Sequence, residues 1–301
     1  MSLLRPFLLQ TNCLGRYNTG MSMAENPSQR PLVVLRPQRG KVSLNLLEIW
    51  QFRDLLTTLA QRDIKLRYRQ TALGAIWVVF QPLLAAGIFS LVFGAIGKFP
   101  SDGLPYFLFA FAGQLGWGAF ANTLTKSGNC LVQNSALVSK VFFPRLILPF
   151  STIFSTLLDF GVGLVVMIFL LAINGINPGL AILTTPLWLL ALMALGLGLG
   201  LFAAALTVSY RDVQYILPVL IPLMMYATPV AYSLSAAPPK LAVILAANPI
   251  APLIEGLRWS LTGRGTLNWL YVAYAVAFTL VILFLGMVYF RNMERRFADV
   301  I

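Results

Sequence analysis

The chain has 301 residues, of which 58% are hydrophobic and only 11% are Asp, Glu, Lys or Arg, and its mean hydropathy is +0.78. A soluble domain averages about 25% charged residues, so this composition excludes an ordinary water-soluble domain and indicates a protein whose solvent is the bilayer. The net charge of +12 would suit a nucleic-acid partner, but nine of the 22 Lys and Arg residues fall between Arg30 and Arg69, just before the first long apolar stretch. Because cationic residues in that position mark the cytoplasmic side of a membrane protein, we expect no nucleic-acid partner.

The N-terminal part of the chain precedes every long apolar stretch. Residues 1–42 are polar and irregular, and we expect a disordered cytoplasmic segment. Its apolar run is too short for the core of a signal peptide, and Met21 and Met23 leave a later translation start open.

Residues 43–70 are predicted to form an amphipathic helix followed by a basic juxtamembrane segment. Apolar residues of the helix, at 43–62, recur with helical spacing on one face, and polar residues occupy the other. Since Trp50 and several cations accompany this pattern, we expect the helix to lie in the cytoplasmic membrane interface. The alternative is a surface helix packed on a soluble partner.

The segment 71–290 contains six apolar stretches, each reaching the roughly 20 residues that a helix needs to cross the hydrocarbon. They cover 71–97, 105–125, 146–173, 179–208, 213–234 and 268–290. Six crossings from a cytoplasmic N-terminus return the tail at 291–301 to the cytoplasm, where its arginines satisfy the positive-inside rule. The predicted fold class is therefore an all-α polytopic membrane protein with six transmembrane helices.

A further apolar segment, 241–262, is predicted not to cross the membrane. Asn248-Pro249 interrupts it, and Glu255 and Arg258 lie in its second half. A seventh crossing would leave the C-terminal arginines outside. We therefore expect a re-entrant pair of short helices on the external side before the last span, with Glu255 and Arg258 paired on one helical face.

Two features indicate how the spans are connected and packed. Residues 126–145 are predicted to form a cytoplasmic loop with a short helix, and 209–212 a tight cytoplasmic turn. Gly196, Gly200 and Ala204 form a small-residue ridge, which favours close helix packing.

Motifs for chemistry within the chain are absent from the sequence. It has no phosphate-binding loop, no histidine and no metal-binding motif, and Cys13 and Cys130 offer no ligand spacing. Asp159 is the one acid near the middle of a span; a structural hydrogen bond to Ser or Thr of a neighbouring helix is favoured over a functional role. We expect a transport subunit that is not an enzyme, has no metal site and takes its energy from elsewhere.

Several short motifs occur in a distinctive order along the chain. They are Arg62 to Gly74 followed by Trp77 and Gln81-Pro82, the segment Asn134 to Pro149, Tyr210 to Val213, Met224-Met225 with Thr228-Pro229-Val230, and Asn248-Pro249 followed by Ile254 to Arg258. In this order they resemble the polysaccharide-export permeases of the type-two ABC exporter class, which moves O-antigen, capsule and teichoic-acid polymers. The resemblance covers roughly residues 45–301.

The resemblance implies a permease homodimer in the bacterial cytoplasmic (inner) membrane, bound to two copies of a separate ATPase subunit. ATP and Mg would be held by that partner, so this chain would bind no cofactor. The residues that would couple to the ATPase are Asn134, Leu137 and Lys140 in the loop, and Tyr210, Arg211 and Asp212 in the turn.

The substrate implied by the resemblance is a glycan attached to undecaprenyl diphosphate. Its diphosphate would bind Arg62, Lys65, Arg67 and Arg69, although these cations would equally serve to bind anionic membrane lipids. The sugar rings would stack on Trp77, Phe80, Phe89, Tyr226 and Tyr232, the alternative being side chains that face lipid or fill space. Asn248, Glu255 and Arg258 would form an external gate, or Glu255 and Arg258 a structural ion pair.

Three other functions compete with polysaccharide export. The nearest is an ABC exporter of the same architecture that carries a drug or a small lipid. A membrane-embedded enzyme acting on lipid-linked sugars would need more intramembrane carboxylates or histidines than this chain has. A scaffold that transports nothing would show no substrate-stimulated ATPase activity with its partner.

Overall fold

The computed structural model describes residues 50–68, 74–141, 143–233 and 244–300, apart from the side chains of 67–68, 74–76 and 295–300. Within these ranges the regular secondary structure is entirely helical, which confirms the all-α prediction for this part of the chain. The N-terminal segment 1–42 and the first residues of the predicted amphipathic helix lie outside the described residues.

The described helices follow one another with short connections. They are α1 (Arg53–Tyr68), α2 (Gly74–Phe89), α3 (Tyr106–Gln133), α4 (Ser135–Lys140), α5 (Ile147–Ile173), α6 (Thr185–Ser209), α7 (Val213–Tyr226), α8 (Ile250–Thr262) and α9 (Trp269–Val300). A π-helix, Ser90–Ile96, continues α2, and a 3-10 helix, Gly179–Thr184, precedes α6. Gly263 ends α8 in the left-handed conformation, with φ of 67°. Its N–H donates a hydrogen bond to the Trp259 carbonyl.

Among the residues that the structure describes, four helical segments are long and apolar enough to cross a membrane. They are Trp77–Ile96, Ile147–Ile173, Gly179–Ser209 and Trp269–Glu294. Helix α3 has 28 residues but carries amides and hydroxyls that reduce its hydropathy, and α7 is apolar but has only 14 residues. The chain is therefore a membrane protein with four clear candidate spans in its described part, and the count of six stays a prediction.

Helix α3 lies at the centre of the bundle. It packs against α2, α5, α6 and α8, and Phe109, Phe111 and Phe120 are completely buried along it. Because α3 is enclosed by other helices, its polar side chains meet protein rather than lipid, which a helix of low hydropathy requires in a bilayer.

The small-residue ridge of α6 packs against α3, as predicted. A Cβ atom added to Gly196 would lie 2.6 Å from the Phe120 carbonyl oxygen, and one added to Gly200 would overlap Ser127. Ala204 is fully buried. The missing side chains let the two backbones approach closely, as in other membrane helix pairs.

The bundle has two ends, which we name after the short helix that each contains. The α8 end contains α8 and the segments 101–104 and 228–233. The α4 end contains α1, α4 and the turn 210–212. Leu56 and Leu59 of α1 pack into a cluster with Leu148 and Phe290 at the α4 end. The predicted apolar face of α1 therefore packs against other helices of the same chain.

Two predicted boundaries were wrong. Helix α1 continues to Tyr68 instead of ending at 62. The loop predicted at 126–145 begins only near Asn134, because α3 continues through Lys126, whose charge has a partner on α5. The predicted tail is helical as well, since α9 continues past residue 291 to Val300.

The predicted interruption of segment 241–262 is confirmed. Residues 244–247 are helical, the helix breaks at Asn248 and Pro249, and α8 follows. The predicted stretch 213–234 is helical only as far as Tyr226, and the chain then turns through 227–232.

Candidate functional site

A cavity of about 490 Å³ lies among α2, α3, α5 and α7. Its polar lining comes from Gln81, Gln114, Asn122, Thr156 and Asp159. Its aromatic lining comes from Phe89, Trp117, Phe160 and Tyr226. Aromatic faces beside groups that donate and accept hydrogen bonds are what a hydroxyl-rich ring needs from a binding site.

Helix α2 contributes a wall in which the helical hydrogen bonding is interrupted. Pro82 has no N–H to donate to the Val78 carbonyl, and both residues line the cavity beside Gln81. The Gln81-Pro82 pair, which belongs to the first motif of the sequence, thus lies at the cavity.

Helix α3 contributes two amides that sequence analysis missed. Gln114 is nearly buried, and its Nε2 donates to Met225 Sδ of α7 at 3.8 Å. Asn122 lies eight residues further along the same helix, a spacing that keeps both side chains on one face. That spacing is the signal from which both residues could have been found.

Asp159 enters the cavity from α5. Its Oδ2 accepts a hydrogen bond from Lys126 Nζ at 3.0 Å, and the lysine also donates to Ser155 Oγ at 2.9 Å. The Asp159 side chain is 7% exposed and that of Lys126 25% exposed. The sequence predicted a hydroxyl partner for Asp159, and the structure gives it a lysine from the segment that was predicted to be a loop.

The five predicted glycan-channel aromatics fall in three places. Phe89 and Tyr226 both line the cavity. Trp77 and Phe80 contact each other with ring centroids 5.5 Å apart on an open face of α2, where they are 57% and 46% exposed. Tyr232 is half-buried beyond the end of α7 and does not line the cavity.

The predicted external gate residues lie at the α8 end, where Arg258 is 4% exposed. Its Nη2 donates to the carbonyls of Pro229, at 3.2 Å, and Val230, at 3.0 Å, and its guanidinium carbon lies 3.7 Å from the centroid of the Phe109 ring. Glu255 interacts with it electrostatically. The main contacts of Arg258 are thus to the chain after α7, which the predicted pairing with Glu255 did not anticipate.

Asn248 joins the same two segments. Its Nδ2 donates to Thr228 Oγ1 at 2.9 Å, while its Oδ1 accepts from the Ile250 N–H at 3.1 Å in an Asx turn that leads into α8. Two motifs that are 20 residues apart in the sequence therefore meet here.

The segment 228–233 has further partners at the α8 end. The Tyr106 hydroxyl donates to the Ala231 carbonyl, and Ser233 Oγ donates to the Asp102 carboxylate at 3.0 Å. Asp102, Glu255 and Arg258 also line a smaller pocket of about 200 Å³.

The predicted diphosphate site is only partly described. Arg62 donates from Nη2 to Asp63 Oδ1 at 2.7 Å and to Asn134 Oδ1 at 2.6 Å, which links α1 to the start of α4. Lys65 is exposed. The Arg67 side chain and Arg69 lie outside the described residues, so a common site for the four cations stays a prediction.

The predicted coupling residues occupy the α4 end. Asn134 Nδ2 donates to the Cys130 carbonyl at 2.8 Å, which joins α3 to α4. Leu137 is half-buried and Lys140 is exposed. The turn of Tyr210, Arg211 and Asp212 is exposed throughout.

Comparisons with known proteins place these features in a family. A family model described as ABC-2 type transporter matches residues 54–262. The O-antigen export system permease protein RfbA of Klebsiella pneumoniae is 29% identical over 253 residues, which cover 82% of this chain and 95% of the relative. The protein of the same name from Myxococcus xanthus is 32% identical over 209 residues, which cover 69% of this chain and 80% of the relative.

A relative named for a different cargo is more distant. The polysialic acid transport protein KpsM of Escherichia coli is 24% identical over 238 residues, which cover 77% of this chain and 91% of the relative. The resemblance inferred from the order of motifs is confirmed by these matches.

Proposed function

Because this chain belongs to the ABC-2 type transporter family, we propose that it is the permease subunit of an ATP-driven polysaccharide exporter. Its substrate would be a glycan such as O-antigen, attached to undecaprenyl diphosphate and moved across the bacterial cytoplasmic membrane. The observation that carries this proposal is the cavity of about 490 Å³, which combines aromatic faces with three side-chain amides.

The chemistry of the cavity suits a sliding sugar polymer. Phe89 and Tyr226 present aromatic surface, which binds the apolar faces of sugar rings without strict direction. Gln81, Gln114 and Asn122 each carry a donor and an acceptor, so successive hydroxyls exchange one hydrogen bond for another.

The proposed topology has six spans with both termini in the cytoplasm. The spans are the four clear candidates together with α3 and α7. In this arrangement the α4 end faces the cytoplasm and α8 belongs to a re-entrant pair at the external face. The length of α3, 28 residues, supports a crossing, and the enclosure of its polar groups by protein supports it further.

The proposed assembly is a homodimer with two ATPase subunits. Exposed apolar side chains on α2 and α7, among them Trp77, Leu84, Val219 and Leu223, provide surface for a second copy or for lipid. The exposed turn at Tyr210 and the short helix α4 would contact the ATPase. ATP binding by that partner would shift the permease between two conformations.

The cations before the first span would bind the diphosphate of the lipid carrier. Exposed Lys65 supports this role. Arg62 already bonds Asp63 and Asn134, so it would carry the effect of diphosphate binding to the start of α4.

The test is export in cells that lack the gene and carry a plasmid copy together with the ATPase. Phe89→Ala or Tyr226→Ala should reduce the glycan that reaches the outer face of spheroplasts by about tenfold, the effect of losing about 1.4 kcal/mol of binding. Lipid-linked glycan should accumulate inside to match. Lectin binding to the spheroplasts and extraction of the lipid-linked pool measure the two amounts.

The matched control is Tyr215→Ala on α7. Tyr215 is 71% exposed, close to the 66% of Tyr226, but does not line the cavity. Equal losses from both tyrosine variants would show that the cavity is not the route. Normal glycan export in the gene deletion, together with altered drug sensitivity, would favour the drug or small-lipid exporter instead.

A further inference from the structure

We propose that the smaller pocket at the α8 end binds one uncharged sugar ring and so forms a second glycan site, separate from the cavity. The pocket has a volume of about 200 Å³ and shares no lining residue with the cavity. It is smaller than the roughly 300–1,000 Å³ of sites for drug-sized ligands, which suits a single ring. Because the ring would belong to the exported glycan, this second site rests on the proposed function.

Two aromatic side chains line the pocket from neighbouring helices. Trp259 comes from α8 and Tyr271 from α9. Both are half-buried, so their neighbours hold them in place while part of each side chain stays accessible. An aromatic side chain held in this way offers a fixed surface to the apolar face of a sugar ring.

Several hydrogen-bonding groups at the pocket have no partner within the part of the chain that the structure describes. Among them are the Trp259 indole N–H, the Tyr271 hydroxyl and the Asn268 Nδ2 amide. Asn268 uses its other side-chain atom, Oδ1, to accept from the Leu270 N–H at 3.1 Å. The polar atoms of Trp259 and Tyr271 are not enclosed, so a ligand oxygen can reach them.

Acceptors line the same pocket. The carboxylates of Asp102 and Glu255 belong to its wall, Asp102 being exposed and Glu255 half-buried. Ser233 Oγ donates to Asp102 at 3.0 Å, but a carboxylate has about four lone-pair sites and accepts further hydrogen bonds. Sugar hydroxyls both donate and accept, so one ring can pair with the carboxylates and with the unpaired donors.

The charged groups that line the pocket balance one another. Asp102 and Glu255 are acidic, and Arg258 and Arg264 are basic. Arg258 interacts electrostatically with both carboxylates, and Arg264 Nη1 donates to the Gly103 carbonyl. Since the attraction of two cations for an anionic ligand is offset by two anions nearby, the set favours an uncharged ligand that hydrogen-bonds over an ion.

The pocket lies where the polymer would leave the membrane. In the proposed topology the α8 end is external, so a ring bound there has already passed the cavity. Arg258 lines the pocket and also donates to the Pro229 and Val230 carbonyls, which follow α7. Tyr226 at the end of α7 lines the cavity. The two sites thus contact the same stretch of chain.

The experiment uses tryptophans as reporters at both sites. Trp259 lines the pocket, Trp117 lines the cavity, and Trp269 at the start of α9 lines neither. The full chain, labelled with fluorotryptophan, is placed in nanodiscs and titrated with maltoheptaose, and fluorine NMR follows the three signals. Substitution of each tryptophan by Phe assigns its signal. We expect a saturable shift of the Trp259 signal and none of the Trp269 signal.

The informative variant is Tyr271→Phe, which removes a hydroxyl at the pocket and keeps the ring. The affinity reported by the Trp259 signal should fall about fivefold, the effect of one hydrogen bond. Tyr274→Phe is the matched control one turn further along α9. Its hydroxyl donates to the Ala247 carbonyl at 3.1 Å, and it does not line the pocket, so the affinity should stay unchanged.

The outcomes separate this second site from the proposed function. A shift of the Trp117 signal without one of the Trp259 signal overturns the second site and leaves the glycan cavity standing. Equal shifts of the Trp259 and Trp269 signals, or equal losses of affinity in the two tyrosine variants, overturn it as well. A Trp259 shift with an unchanged Trp117 signal supports the second site and refutes the cavity.

A titration with inorganic phosphate tests the class of ligand. If phosphate shifts the Trp259 signal and maltoheptaose does not, the pocket is an anion site and the sugar ligand is refuted. If neither saccharide-dependent shift occurs at Trp259 or at Trp117, both glycan sites are refuted. Should Tyr271→Phe fail to fold, the wild-type shifts of the Trp259 and Trp269 signals decide the matter.

Discussion

The α8 end and the α4 end of the bundle are built from opposite kinds of contact. At the α8 end, buried Arg258 and half-buried Asn248 bind the chain that follows α7. At the α4 end, the turn of Tyr210, Arg211 and Asp212 is exposed. Helix α7 therefore has one end held firmly by hydrogen bonds and one end open to a partner. Motion driven by an ATPase at the open end would therefore bend α7, where Pro218 and Pro222 already interrupt its hydrogen bonds.

The largest effect is expected from breaking the α8 end at Arg258. Arg258→Met removes the charged donor for the Pro229 and Val230 carbonyls and the contact with the Phe109 ring. The free energy of unfolding should fall by about 3 kcal/mol, because hydrogen bonds to charged groups are worth more than neutral ones and the carbonyls stay buried. Thermal unfolding in nanodiscs measures the change, and an unchanged melting temperature would show that Arg258 does not hold this end.

An intermediate effect is expected from Gly113→Ala on α3. The new Cβ would meet the Val230 carbonyl oxygen and lie 2.8 Å from Arg258 Nη2, so the same contacts would be forced apart. We expect a loss of about 1–3 kcal/mol in the free energy of unfolding. Gly118→Ala is the control on the same helix, since its nearest neighbour, Asn122 Nδ2, is 4.0 Å away. Similar melting temperatures for the two variants would argue against a tightly packed α8 end.

The smallest effect on stability is expected at the open end. Arg211→Met makes the same substitution as Arg258→Met, but in an exposed turn, and it should change the free energy of unfolding by no more than about 0.5 kcal/mol. ATPase activity stimulated by the glycan should nevertheless fall, since this surface is proposed to contact the partner. A stability loss as large as that of Arg258→Met would remove the contrast between the ends.

Much of the fold was predictable because hydropathy reports helices that face lipid. The stretches 146–173 and 268–290 lie within or closely match α5 and α9. The end of α3 was not predictable, because Lys126 is compatible with a buried helix only through Asp159, 33 residues away. Hydropathy treats each charge alone and cannot detect such a pair.

The cavity was predictable only in part, for a similar reason. Phe89 and Tyr226 were predicted as glycan contacts from residue type, and both line the cavity. The same reasoning named Trp77 and Phe80, because an aromatic residue type does not tell a cavity-lining position from a position on another face of the helix. Gln114 was missed because its role depends on which helices surround α3, and that arrangement follows from packing.

The most direct test of the cavity as the glycan route places a photoreactive amino acid in the cavity while glycan is being exported. p-Benzoylphenylalanine replaces Asn122, which lines the cavity, or Tyr215, which does not, in cells that contain the ATPase. If the glycan passes through the cavity, an adduct with lipid-linked glycan forms at position 122 and none forms at position 215. Export that continues with no adduct at 122, or with equal adducts at both positions, would contradict it.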